Sequence, residues 1–248
     1  LSVVPLIYTL LLHYSGSLDL FESKLVDFRY RNFNPGHKIS DKVVIVDIDE
    51  TALQAYGNEP LFGRWPWKRN VYTPILEYIA NGQPKIILFD ILFTEYSPED
   101  DALVQANQNL KTGNKRGLLS HAMSFRYESE ESEVHEQKTI QRYALKVENT
   151  DKNMKTYNLV SIPAGEIATT APYLHSVSFH PYEDGVARHV RFLFPYFEKF
   201  YPSLSLQGYR AANKIQSIRV SSDIFIIQNE KEKILVPLVD GKYKISFY

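Results

Sequence analysis

Two apolar runs that each lead into acidic residues constrain the fold more than any other feature of the chain. The first run, Val43–Val46, is followed by Asp47 and Asp49, and the second run, Ile86–Phe89, is followed by Asp90. Neither run alternates polar with apolar side chains, which is typical of strands buried on both faces at the centre of a parallel sheet. We therefore predict two neighbouring strands that deliver these three carboxylates to one edge of a sheet.

A segment with helical periodicity separates the two predicted strands, which span 42–47 and 85–93. In this segment, 73–81, apolar side chains recur at helical spacing, and Gly82 follows as a suitable end. A strand, a helix and a second strand in this order predict a βαβ unit, whose crossover is right-handed in nearly all proteins.

The remaining patterns predict a mixed fold. We predict helices over 17–32, from Pro98 onward and over 203–212, a strand over 118–125, two strands at 176–179 and 190–194 joined at Glu183-Asp184-Gly185, and β-hairpins towards the C-terminus. The polar stretch 126–158 is predicted to be a variable, exposed excursion. The predicted fold class is α/β: a single domain with a central mixed, partly parallel sheet flanked by helices, β-hairpins in the C-terminal half and an N-terminal membrane-proximal helix.

The N-terminal segment is almost continuously apolar over 3–12. A membrane-spanning helix needs about 20 apolar residues, so this run covers only part of a span. We interpret 1–16 as the end of a transmembrane helix and 17–248 as the folded domain. A signal-peptide remnant and a buried core helix are the alternatives.

Composition and motif content exclude several classes of function. The formal net charge is −1, so the sequence lacks the basic footprint of a nucleic-acid-binding protein. Zero cysteines exclude disulfides, zinc ribbons and thiol catalysis. No phosphate-cradling glycine loop is present, and the spacing of His175, His180 and His189 matches no zinc pattern. We predict no catalytic residue, no metal site and no cofactor.

One enzymatic alternative remains open at the level of the sequence. The pattern Asp47-x-Asp49-x-Thr51 is similar to the nucleophile motif of haloacid-dehalogenase-type phosphatases, in which the first Asp attacks phosphorus and the second acts as acid and base. The rest of that machinery does not fit, because acidic residues at 100–101 follow Thr94 too closely to leave room for a lysine-bearing helix.

The turn between the predicted strands carries both tryptophans of the chain and two arginines within Gly63–Arg69. Carboxylates gathered at one sheet edge repel each other and need cations. The outcome is either a structural ion-pair network or a pocket for a small polar ligand with a tryptophan wall. The predicted polar cluster is Asp47, Asp49, Trp65, Trp67, Arg69, Asp90, Asp184 and Arg188.

The order of these motifs resembles the CHASE2 family, the extracytoplasmic sensor domains of bacterial receptors. The most specific matching pieces are Arg64-Trp65-Pro66-Trp67-Lys68-Arg69 and Asp184-Gly185-Val186-Ala187-Arg188. The other matching pieces are Asp27–Arg29, Val44–Leu53, Phe89–Glu95, Asp101–Leu103, Ile162-Pro163 and Pro202–Leu206.

The resemblance implies a domain on the periplasmic side of the cell inner membrane, attached through the N-terminal helix. It implies control of a cytoplasmic output domain, with a class III adenylate or guanylate cyclase as our first prediction and a kinase as another family output. The expected partners are an unknown small ligand or a periplasmic protein, and a second copy in a homodimer, but no nucleic acid. A purely structural periplasmic dimerisation module is a further alternative.

Overall fold

The computed structural model describes residues 17–33, 40–112, 118–128, 136–149, 151, 154–179, 185–239 and 241–245. The apolar segment at 1–16, most of the acidic part of the excursion, Asp184 and the last three residues therefore lie outside the described residues. The chain divides into two compact units, Leu1–Val46 with Ile245–Tyr248 and Asp47–Lys244.

The first unit contains helix α1, Ser17–Phe33, which confirms the helix predicted there. Val26 of this helix is buried, whereas Phe21, Leu25 and Phe28 are exposed. Across the described part of the chain, the structure contains no helix with both the length and the apolarity that a bilayer crossing requires.

The prediction of a buried central strand at 42–47 is wrong. Val43, Val44, Ile45 and Val46 form no strand, and between 63% and 84% of each is exposed. β-branched residues favour strands, but strand structure becomes stable only where a neighbouring edge satisfies the backbone and packs the side chains. An apolar run predicts that a segment tends to be buried, but it does not identify a neighbouring strand with which the segment could pair.

The exposure of Ile45 gives a direct test. We expect Ile45→Ala to change the free energy of unfolding by less than about 0.5 kcal/mol, because 84% of the side chain already contacts water. A central-strand isoleucine would lose about 2–5 kcal/mol instead. Urea unfolding of both chains measures the difference, and a loss above about 2 kcal/mol would restore the buried-strand prediction.

The first half of the second unit builds the layer that carries the candidate site. Its elements are α2 (Glu50–Tyr56), α3 (Arg69–Asn81), β1 (Ile86–Leu88), α4 (Asp100–Thr112), β2 (Leu118–Arg126), a 3-10 helix (Lys138–Tyr143), β3 (Glu148–Asn149), β4 (Leu159–Ser161), α5 (Gly165–Thr170) and β5 (Tyr173–Ser176). Three predictions are confirmed here: the helix over 73–81, the helix after Pro98 and the strand over 118–125.

Strand β2 lies at the centre of a mixed four-stranded sheet. It pairs in parallel with β1 (Ile87↔Leu119) and with β5 (His121↔Leu174), and antiparallel with β4 (Phe125↔Val160). The βαβ unit is therefore β1–α4–β2, which begins at the strand where the predicted unit was expected to end. The predicted mixed, partly parallel sheet with flanking helices is confirmed.

Helices α3 and α4 share a core with this sheet. Buried members of the core include Trp67, Tyr72, Phe93, Leu103 and Leu119, and Ala52 and Leu53 of α2 pack against it. The apolar spacing of α3 that predicted the helix thus places its buried face on the sheet.

The second half supplies the predicted β-hairpins and one helix. Its elements are β6 (His189–Val190), β7 (Leu193–Tyr196), β8 (Lys199–Pro202), α6 (Leu204–Ala212), β9 (Ile215–Val220), β10 (Ile224–Asn229), β11 (Lys233–Pro237) and β12 (Tyr243–Lys244). Strands β9, β10 and β11 form consecutive antiparallel pairs, and β3 adds to β9 in parallel. Ser203 begins α6 by accepting a hydrogen bond at Oγ from the Leu206 N–H.

The hairpin predicted between 176–179 and 190–194 is wrong. Strand β5 pairs with β2, β6 pairs with β12, and β7 forms its hairpin with β8. The turn between β7 and β8 places Phe197 at a φ of 48°, a left-handed conformation that no glycine signals in the sequence. A turn-prone Asp-Gly pair in the sequence therefore does not identify which strands pair.

Candidate functional site

Asp49 begins helix α2. Its carboxylate Oδ1 accepts a hydrogen bond of 2.8 Å from the Ala52 N–H, so the side chain satisfies one of the unpaired amides at the helix start. Asp47 and Asp49 are both exposed. The role that the structure shows for Asp49 is thus a helix cap, and Asp47 does not end a buried strand as the sequence predicted.

Two substitutions distinguish whether Asp49 contributes to stability through its capping hydrogen bond or through its negative charge. We expect Asp49→Ala to lower the free energy of unfolding by about 1 kcal/mol, whereas Asp49→Asn should stay within a few tenths of a kcal/mol of the parent, because asparagine caps a helix equally well. Thermal unfolding of the two variants makes the comparison. Equal losses in both would show that the negative charge, and not the cap, is what Asp49 contributes.

An aromatic cluster follows α2. The rings of Tyr56 and Phe62 are stacked, with 4.6 Å between their centroids. The Trp67 ring meets Phe62 and Trp65 edge-on, at centroid distances of 5.1 Å and 5.8 Å. Trp67 is buried, whereas 46% of Trp65 and 43% of Tyr56 are exposed. Gly63 enters this turn at a φ of 69°, where a side chain would be strained, and the Trp65–Pro66 peptide bond is cis.

Arg69, the first residue of α3, is held in three ways. Its Nε donates to Asp100 Oδ1 at 3.2 Å, its Nη2 donates to the Glu95 carbonyl at 3.1 Å, and its Cζ lies 4.5 Å from the centroid of the Phe93 ring. Only 12% of the Arg69 side chain and 17% of the Asp100 side chain are exposed. We call the set Trp65, Trp67, Arg69, Phe93 and Asp100 the tryptophan–arginine corner.

The ion pair follows from how the two helices begin. A cation at a helix N-terminus opposes the helix dipole, whereas a carboxylate there is favourable. Asp100 begins α4 and also accepts a hydrogen bond at Oδ2 from the Ser97 N–H. Its carboxylate therefore stabilises its own helix and neutralises the arginine that begins α3.

The structure brings some of the predicted cluster together and leaves other members apart. Trp65 and Trp67 are in contact, but within the described residues no hydrogen bond or ion pair joins Arg69 to Asp47, Asp49 or Asp90. Asp90 is exposed beyond β1, Arg188 is 3% exposed, and Asp184 lies outside the described residues. A shared binding role for the eight residues remains a prediction.

Two buried histidines lie behind the corner, and the sequence analysis did not identify them as a pair. His175 Nε2 donates to the Phe89 carbonyl at 3.0 Å, so its Nδ1 accepts from Ser120 Oγ at 2.7 Å. His121 Nε2 lies 2.8 Å from Asn107 Oδ1. Because the Asn107 amide nitrogen donates to Thr170 Oγ1, its Oδ1 is the acceptor for His121.

Burial keeps both histidines neutral. Desolvation, with a smaller contribution from the neighbouring His175, lowers the pKa of His121 to about 3. The pKa of His175 is lowered to about 4, because desolvation outweighs the opposing effect of its hydrogen bond to the Phe89 carbonyl. His121 Nδ1 is buried without a hydrogen-bond partner among the described residues, so a proton there would carry an unpaired charge.

Phe93 connects the histidines with the tryptophan–arginine corner. Its ring lies beneath the Arg69 guanidinium and meets the His121 ring edge-on, with 6.0 Å between the ring centroids. The corner therefore rests on a packed interior and offers a partly exposed tryptophan face at the surface. The described residues contain no group of three potential ligands that could hold a metal ion.

The comparisons with known proteins gave one match. The model of a family described as the CHASE2 domain matches residues 3–247, almost the entire chain. Neither the curated proteins nor the solved structures contained a match.

Proposed function

Because the chain belongs to the CHASE2 domain family, a family of extracytoplasmic sensor domains, we propose that it detects a signal outside the cytoplasmic membrane and passes it to a cytoplasmic output domain. The observation that carries this proposal is the family match over residues 3–247. The family is sensory and not catalytic. The phosphatase alternative also loses support because Asp49 caps a helix and Asp47 does not follow a buried strand.

The output domain that we propose is a class III adenylate or guanylate cyclase, with the sensor on the periplasmic side of the inner membrane. Such cyclases form their active sites between two chains, so the geometry of a homodimer is a natural variable to control. A ligand that binds one arrangement of the dimer more tightly would shift the population towards it, and the output would follow.

The tryptophan–arginine corner is the sensing surface that we propose. A partly exposed aromatic face beside a largely buried ion pair gives an apolar wall with polar groups close to it, which is typical of small-ligand sites. The Nε1 of Trp67 is a buried donor without a hydrogen-bond partner among the described residues. A ligand acceptor or a periplasmic peptide that reached it would satisfy this donor.

The test compares two aromatic truncations in the intact receptor. Trp65→Ala removes the exposed face of the corner, and Tyr78→Ala, on α3 and 80% exposed, is the matched control. We expect the tryptophan variant to change the signal-dependent output, and the tyrosine variant to leave it unchanged. Binding screens of the isolated chain with small anions, metal ions and peptides provide a second readout. No saturable binding, together with equal output from both variants, would contradict a sensing role for the corner.

A structural dimerisation module is the second candidate, and one observation favours it. The charged groups of the corner, Arg69 and Asp100, already neutralise each other, and the nearby sequence-predicted site residue Asp49 already caps α2. This candidate predicts that Asp49→Asn and Arg69→Ala leave the output unchanged, whereas substitutions at the dimer face change it.

A further inference from the structure

A small cavity lies in the second half of the second unit, among strands β7, β9 and β10. It contains about 250 Å³ of empty space, part of which is open to solvent. Buried apolar side chains form its floor, and they include Leu193, Val220 and Phe225. Half-buried residues form its rim, and they include Met154, Arg191 and Gly241. The cavity therefore combines an apolar floor with a charged group at its open side.

Arg191 supplies this charge, and no counter-charge accompanies it. Within the part of the chain that the structure describes, no carboxylate forms an ion pair with Arg191 and no group accepts a hydrogen bond from it. Its Nη1 lies 3.4 Å from the position that a Cβ atom would take at Gly241, so the guanidinium lies against the backbone of the rim. A half-buried charge without a partner is unfavourable, and an anion in the cavity would offset this cost.

A second cation lies near the same place. Lys155 Nζ is 4.3 Å from the centroid of the Tyr127 ring, which stacks on Tyr157 with 4.4 Å between centroids. Burial raises the pKa of both tyrosines, and the positive charge of Arg191 partly opposes the rise, so the guanidinium lies near the same two rings. Lys155 also forms no ion pair with a described residue. Two neighbouring cations repel each other, and this repulsion favours an anionic ligand.

We infer that this cavity binds a short-chain aliphatic monocarboxylate, with its carboxylate on the Arg191 guanidinium and its apolar chain on the floor. A guanidinium presents two parallel N–H groups that match the two oxygens of a carboxylate. A water molecule takes up about 30 Å³ of liquid, so the cavity holds at most about eight groups of that size and limits the ligand to a few carbons. The inference goes beyond the proposed function, because the cavity shares no residue with the tryptophan–arginine corner.

The apolar floor determines how affinity should change with the length of the ligand. From acetate to propionate to butyrate, each methylene group that leaves water should lower the dissociation constant about fourfold. The gain should end once the floor is covered, so octanoate should bind no more tightly than butyrate. Inorganic phosphate carries charge without an apolar group and should bind at least about tenfold more weakly than butyrate.

The two methionines of the chain report on this site directly. Met154 lies at the rim of the cavity, whereas Met123 is fully buried in another core that contains Phe125. In the full chain with isotope-labelled methionine methyl groups, butyrate is added at constant ionic strength and NMR follows both signals. The Met154 signal should shift saturably, and the Met123 signal should stay in place.

Two arginine variants test the contact that binds the carboxylate. Arg191→Met removes the charge but keeps a long apolar side chain, and it should weaken butyrate binding at least about tenfold. Arg219→Met is the matched control, because Arg219 is an exposed residue of β9 whose charge is already paired with Glu148, and it should leave the affinity unchanged. Urea unfolding verifies that both variants fold. The chain-length series needs no variant, so it decides the outcome if Arg191→Met does not fold.

Three results would each overturn the inference: no saturable shift of Met154 in the parent chain, equal affinity for butyrate in the parent and in Arg191→Met, or equal affinity of the parent for phosphate and butyrate. None of them bears on the effect of Trp65→Ala on receptor output. The failure of this site and the failure of the sensing role of the corner are therefore separate results.

Discussion

Lowering the pH from 7 to 5 should reduce the free energy of unfolding by about 4 kcal/mol through His121 and His175. Their folded-state pKa values, about 3 and about 4, lie below the ordinary value of 6.5. Between pH 7 and pH 5, the two histidines therefore bind protons in the unfolded chain but stay neutral in the folded chain. Each histidine therefore lowers the free energy of unfolding by about 1.4 kcal/mol per pH unit below 6.5, which amounts to about 2 kcal/mol at pH 5.

The sign of this effect follows from the direction of the pKa shifts. Above pH 6.5 both histidines are neutral in the folded and unfolded states, and their contribution is fully present. As the pH falls towards the folded pKa values, the unfolded state is increasingly favoured. The structural reason is that the neutral His175 ring already has both of its hydrogen-bond partners, Ser120 and Phe89. For His121, the part of the chain that the structure describes supplies no acceptor for a second proton.

Urea unfolding at the two pH values measures the loss, and the variant His121→Gln/His175→Gln is the control for carboxylates that titrate in the same range. We expect the double variant to lose most of the pH dependence and His175→Gln about half of it. Proton NMR of the folded parent supplies a check that needs no variant, since neither imidazole should titrate between pH 7.5 and 5. An unchanged pH dependence in the double variant would contradict the assignment.

Elements with their own local signals could be predicted from the sequence. The apolar spacing and end signals of α1, α3, α4 and α6 depend on residues a few positions apart, and each of these helices forms. The hairpins of β9–β11 likewise join neighbouring strands. The family could be predicted for a similar reason, because the order of its short motifs can be read from the sequence without knowing which residues are in contact.

The contacts that build the site depend on pairing over long distances in sequence, where local patterns carry no information. Arg69 and Asp100 are 31 residues apart, and His175 is 55 residues from Ser120 and 86 from Phe89. The sequence indicated that Asp47, Asp49 and Asp90 need cations, and it placed Arg69 in one cluster with them. The partner of Arg69 in the structure is Asp100, whose carboxylate lies at the N-terminus of α4, where the helix dipole stabilises a negative charge.

The same reasoning explains the error at 43–46. Four consecutive β-branched residues indicate a strand that is buried on both faces, but the parallel neighbour of β1 in the structure is β2. Parallel pairing is set by the crossover helix and by how its apolar face packs. Helix α4, which packs against α3 and contributes Leu103 and Leu110 to the shared core, connects β1 to β2.

Removing the arginine of the corner is the second large effect that we expect. Arg69→Met should lower the free energy of unfolding by about 2–3 kcal/mol, because it leaves the largely buried Asp100 carboxylate without its cation and removes the contact over Phe93. The full loss of a completely buried pair is about 3–5 kcal/mol, and the smaller figure reflects partial exposure and the unfavourable position of a cation at the start of α3.

A double-mutant cycle isolates the ion pair from the other contacts of Arg69. Asp100→Asn keeps the acceptor for the Ser97 N–H but removes the charge, so the double variant should lose less than the sum of the two single losses, with a coupling of at least about 1 kcal/mol. Lys68→Met, which removes an exposed cation one residue earlier, should change the free energy by less than about 0.5 kcal/mol. Strict additivity in the cycle would mean that Arg69 stabilises the corner through packing and not through Asp100. The guanidinium would then be available to an anionic ligand, which would favour the sensing role of the corner over the structural one.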